Sequence, residues 1–179
     1  LSVRFDKANS LIVFIIPFLF FLKKGWIDKD LFWRLGVIVI WGGLIGLLGW
    51  VMVASGLQDK PYVAPVKLSI HLTPALALFG YLVWVSLYVW RGKGTFVKQS
   101  ASVFNFSLFI LFILFLQIFL GGIVSGMKAG LAYPSWPKME SEWIPSILFT
   151  GKKSLEGISQ FDFRADWGKA FIQFFHRMT

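Results

Sequence analysis

Few side chains in this 179-residue sequence could do chemistry. It has no cysteine, which removes disulfides, thiolate nucleophiles and thiolate-bound metals. A metal would have to use His, Met or oxygen, and the only histidines are His71 and His176. A neutral imidazole can ligate iron, and Arg177, directly after His176, supplies a fixed cation that could pair with a propionate. Residue type alone leaves a second reading open, in which each histidine is a hydrogen-bonded residue near a helix end. Gln117, in an apolar run, reads first as a hydrogen bond between helices and second as a site residue.

The elements that must position these residues are long and apolar. Hydrophobic residues make up 56% of the chain and charged ones 15%. They come in blocks: Leu35 to Ala54 carries no charge, Leu68 to Trp90 is broken only by His71 and small polar groups, and Ala101 to Gly126 is a third run. Each can cross a hydrocarbon layer of about 30 Å at ~1.5 Å per residue. A fourth span is expected over Ala8 to Leu22, which contains Pro17 and ends at Lys23-Lys24. A further apolar segment opens at Ala170 and runs to Met178, at the end of the chain. The expected fold class is therefore all-α, a polytopic membrane bundle of four transmembrane helices plus the start of a fifth. The chain reads as a piece of a longer protein, without a signal peptide.

Basic residues set the expected sidedness. Lys23, Lys24, Lys29 and Arg34 lie between the first two runs, and Arg91, Lys93 and Lys98 between the third and fourth. Only Lys60 and Lys67 lie between the second and third. The positive-inside rule places 23–34 and 91–100 in the cytoplasm, and 58–67 with the long loop 127–169 outside. Such anchoring accounts for much of the net charge of +9, so nucleic acid is not expected as a partner. Both histidines then fall at similar depths near the outer face. Trp50, Tyr62, Trp136 and Trp143 fit an interfacial aromatic belt, and Gly42, Gly43, Gly46 and Gly49 form a small-residue face for helix packing. The outer loop, with Tyr133-Pro134-Ser135-Trp136-Pro137 and Trp143-Ile144-Pro145, reads as rigid turns forming a lid.

Gly46 to Leu57 followed by Ala64 to Leu72, Gly121 to Leu131 running into Tyr133 to Met139, Trp143-Ile144-Pro145, and the closing Gln173-Phe174-Phe175-His176-Arg177 together resemble the heme A synthase family. The blocks cover roughly residues 35 to 179 in the family's order. The resemblance implies eight helices in two four-helix bundles, each holding a heme between a pair of histidines near the outer face. Residues 1–100 would belong to the first bundle and 101–179 to the second, from about the second helix to the start of the sixth. His71 resembles a ligand of the bundle associated with the substrate heme O. His176, with Arg177, resembles the ligand region for a heme b cofactor.

The activity implied is oxidation of a ring methyl of heme O to the formyl group of heme A, for cytochrome c oxidase. Implied partners are heme O synthase, the oxidase assembly machinery and the lipid bilayer, with a homo-oligomer left open. A bacterial inner membrane is favoured over a mitochondrial one. The sequence departs from the family's Glu-x-x-His-Arg motif: depending on gaps, Val3 and Arg4 or Asp6 and Lys7 stand at the His and Arg positions. Ile45 stands where Gln is common, and Lys67 where Arg is common. Little turnover is expected from this stretch alone. Two other readings remain, a heme carrier or electron-transfer cytochrome b, and a purely structural bundle.

Overall fold

The computed structural model describes residues 13, 15–54, 63–92, 100–150 and 166–179. Its regular elements are helical: α1 over 15–23, α2 Lys29–Ala54, α3 Pro65–Arg91, α4 Ala101–Gly126, a 3-10 turn Ala129–Leu131, α5 Ile147–Thr150 and α6 Asp166–Met178. Among the described residues three helices, α2, α3 and α4, are long and apolar enough to cross a membrane. The chain is an integral membrane protein. The four-plus-one helix count is not settled at this level: residues 8–12 and 14 of the first expected span and the motif positions 3–7 lie outside the described residues, while the rest of that span is helical in α1. The expected fifth helix appears as α6, which begins four residues earlier than its apolar run.

Local chemistry explains where these helices begin. Asp28 caps α2 by accepting the Leu31 N–H at 2.8 Å, and Asp30 pairs with Arg34 one turn on at 2.9 Å. Helix α2 therefore starts six residues before its uncharged run. At α3, Pro65 takes the first turn, where its missing N–H costs nothing, so the helix starts before Lys67 and His71 sits nearly two turns in. Ser100 caps α4 by accepting the Val103 N–H. Lys128, at φ 51°, leaves the α4 axis in the left-handed region.

The chain divides into two packed units, Leu1–Trp41 and Gly42–Thr179. In the first, α1 turns into α2 through Gly25, whose φ of +70° ends the helix. The Trp26 N–H reaches the Phe21 carbonyl and the Gly25 N–H reaches that of Leu22. Phe21 stacks on Trp26 at 5.5 Å, closing one side of an apolar cavity of about 340 Å³.

In the second unit α4 lies between α3 and α6. An alanine Cβ at Gly122 would meet the Ser69 Cα at 3.0 Å and one at Gly126 would meet the Pro65 Cα at 2.7 Å, so α3 and α4 approach backbone to backbone. On the other side Ile123, Met127 and Ala129 pack with Ile172 of α6, ringed by Phe119, Leu120, Val124 and Phe171. Helix α6 adds a row of rings one turn apart: Trp167 on Phe171 at 4.9 Å, then Phe175 at 4.6 Å. Outward faces stay apolar, with Phe106, Phe109 and Phe112 of α4 all more than half exposed, as lipid contact requires.

Candidate functional site

The two histidines occupy matching seats, each against a glycine of a neighbouring helix. His71 of α3 lies against Gly49 of α2: a Cβ on that glycine would stand 3.0 Å from the ring Cε1, 3.5 Å from Nδ1 and 3.6 Å from Nε2. His176 of α6 lies against Gly121 of α4, where the corresponding distances are 3.1, 3.8 and 3.7 Å. In both, the Cε1 edge of the imidazole points at the glycine and its Nδ1 is buried without a hydrogen-bond partner.

Helix α4 fixes the level of both. Gly121 faces His176, and the next residue, Gly122, faces Ser69, two positions before His71. At ~1.5 Å rise per residue the histidines lie within about one helical turn of the same level. This matches the similar depth expected for them. Each sits opposite a different glycine on a different helix, so the two rings occupy separate seats.

Gln117, one turn before Gly121, donates its Nε2–H to the backbone carbonyl of His176 at 2.9 Å. It serves as the expected link between helices, with the added result that it ties down the histidine's own peptide. The α6 face carrying Gln173 and Arg177 holds the segment that follows α4. Gln173, 4% exposed, donates to the Tyr133 carbonyl at 2.9 Å. Arg177 donates to the carbonyls of Tyr133, Ser135 and Lys138 and lies 5.9 Å from the Trp136 ring centroid.

The segment thus held is itself ordered. The Ser135 hydroxyl accepts the Glu140 N–H and donates to the Lys138 carbonyl at 2.9 Å, Met139 pairs with Glu142, and the Met139 side chain is 2% exposed. The rigid turns expected here are present over 127–150. The rest of the expected loop, 151–165, lies outside the described residues.

The donor set bears on what could bind. Among the described residues no three His, Asp or Glu side chains come together, so each histidine offers one ligand. A single imidazole suits an iron whose equatorial ligands belong to a macrocycle. A ring nitrogen with no protein partner, and a glycine seat that keeps a Cβ away from the ring, leave each imidazole available to such a group.

Residues 8–179 match the model of the cytochrome oxidase assembly protein family. The chain belongs to that family. Individual relatives agree: it is 35% identical over 178 residues to the heme A synthase of Parvibaculum lavamentivorans, covering 99% of this chain and 49% of that protein. Against the heme A synthase of Caulobacter sp. (strain K31) the identity is 42% over 135 residues, 75% of this chain and 39% of that one. The heme A synthase of Bradyrhizobium diazoefficiens is 36% identical over 169 residues, 94% of this chain and 45% of the relative. The chain therefore spans half or less of the length of these relatives. No solved structure matches it.

Within this family member, sequence reasoning singled out His71, His176, Arg177 and Gln117 but not the pairing of each histidine with one glycine. Gly49 stood inside a stripe of four glycines, of which Gly43 and Gly46 meet nothing and Gly42 meets only Leu78. Gly121 and Gly122 are adjacent in sequence and serve different neighbours. Nothing in their spacing says which faces a ring.

Proposed function

We propose that this chain is part of a heme A synthase, oxidising the ring-carbon-8 methyl of heme O to the formyl group of heme A for cytochrome c oxidase. The observation that carries this reading is the pair of glycine-seated histidines with unpartnered Nδ1 atoms, in a chain whose relatives are heme A synthases. His71 would hold heme O as substrate, and His176 a heme b cofactor. The hemes supply the redox chemistry, while the residues here bind and orient. Helices α2, α3 and α4 provide an apolar setting that a lipid-borne porphyrin can enter from the bilayer. Arg177 spends three of its five N–H donors on backbone carbonyls, which leaves two for a heme propionate.

On this reading residues 1–100 and 101–179 belong to successive bundles of an eight-helix protein. Heme O synthase supplies the substrate, and the protein works in a bacterial inner membrane with 23–34 and 91–100 on the cytoplasmic side, alone or as a homo-oligomer. Two hemes with a histidine pair each need more than the two histidines present, so this stretch alone should turn over little heme O. The relatives favour the enzyme over the carrier reading. Expressing the full-length protein in cells that make heme O and extracting the hemes tests it: heme A should accumulate, and its absence would sink the assignment.

A further inference from the structure

We infer that Gly49 and Gly121 are positioning residues, each fixing the orientation of the histidine ring across from it; the inference rests on the two-heme reading above. An imidazole ligand is ordinarily oriented by a hydrogen bond from its second ring nitrogen. Here the Nδ1 atoms of His71 and His176 have no such partner, so orientation falls to steric contact. In each case the ring faces a glycine so closely that a Cβ there would crowd it. The three atoms nearest a Cβ built on Gly49 all belong to the His71 ring, and the three nearest one on Gly121 all belong to the His176 ring.

The glycines that serve helix approach look different. Gly122 and Gly126 meet the backbone Cα atoms of Ser69 and Pro65, while Gly43 and Gly46 meet nothing within 4 Å. At 3.0 and 3.1 Å a methyl group would be tighter than ordinary contact, so each ring would have to rotate or tilt to admit it. At the same seat Gln117 restrains the His176 peptide, leaving the side-chain torsions as the freedom that Gly121 limits.

The test uses the full-length protein with its hemes, comparing Gly49→Ala, Gly121→Ala and the open-space control Gly43→Ala. Low-spin EPR spectra and redox titrations are the readouts. Gly121→Ala should move the signal and midpoint potential of one heme and Gly49→Ala those of the other. Each should weaken retention of its own heme about tenfold, while Gly43→Ala matches the parent. Parent-like signals and potentials in both alanine variants would overturn the inference. If Gly121→Ala does not accumulate, it is combined with His176→Ala. Recovery to the level of His176→Ala alone supports a clash with the ring, and continued failure assigns Gly121 to helix packing and overturns the inference. A parent protein that binds no heme sinks the two-heme reading and this inference together.

Discussion

At the scale of single residues, His71 and His176 look alike in setting, yet each packs toward a different glycine on a different helix. Replacing either with alanine in the full-length protein should remove one heme's contribution and leave the other. Reduced-minus-oxidised spectra and heme extraction should show about half the parental heme; loss of both hemes from either substitution would mean that the half-sites are not independent. Arg177 shows how a residue singled out for one role acquires another in the fold. Its guanidinium crosslinks three carbonyls of the segment after α4 to the helix that bears His176. Hydrogen bonds from a charged donor contribute about 1.5–3 kcal/mol each, and removing this one leaves the carbonyls to find water. Arg177→Leu should therefore loosen the segment by a few kcal/mol, read as faster proteolysis within 133–142 in the full-length protein; an unchanged cleavage rate would count against the crosslink.

Helix by helix, the sites depend on where small residues allow close approach. The α3–α4 crossing rests on Gly122 against Ser69 and Gly126 against Pro65, and it sets the level at which both histidines sit. A methyl group at Gly126 would meet the Pro65 Cα at 2.7 Å, a backbone atom that cannot swing aside. Gly126→Ala should force the helices apart at a cost of about 1–3 kcal/mol, measured by denaturant unfolding of the full-length protein in detergent. An alanine variant as stable as the parent would mean that the crossing is looser than these contacts require. Helix ends carry less: the Asp30–Arg34 pair is partly exposed, and such a pair contributes well under ~1 kcal/mol.

Over the whole molecule the apolar runs and the basic residues between them make a joint claim about orientation. The positive-inside rule would put 23–34 in the cytoplasm and the segment 127–150, three spans on, on the opposite side of the membrane. Protease added outside right-side-out vesicles of full-length protein should cut within 127–150 and spare 23–34, and inverted vesicles should show the reverse. The opposite pattern would overturn the sidedness and, with it, the outer-face placement of both histidines. The outward apolar faces of α3 and α4 suit lipid or the further helices of a longer family member.

The sequence by itself determined that this chain lives in a membrane, where its three long apolar spans run, and that His71 and His176 are its only imidazoles. Each of these follows from composition and local order: an uncharged run of twenty residues has no other stable setting, and a chain without cysteine has few metal donors. Helix starts were legible only in part, because Asp28 and Pro65 act through capping and first-turn geometry that a hydropathy run does not register. Tertiary structure alone decided which glycine faces which ring, that Gln117 holds the His176 peptide, and that Arg177 and Gln173 pin the segment after α4. The physical reason is that neighbouring residues on a helix point about 100° apart. Gly121 and Gly122 are one bond apart in the chain and serve α6 and α3 respectively, a division that exists only once three helices have packed.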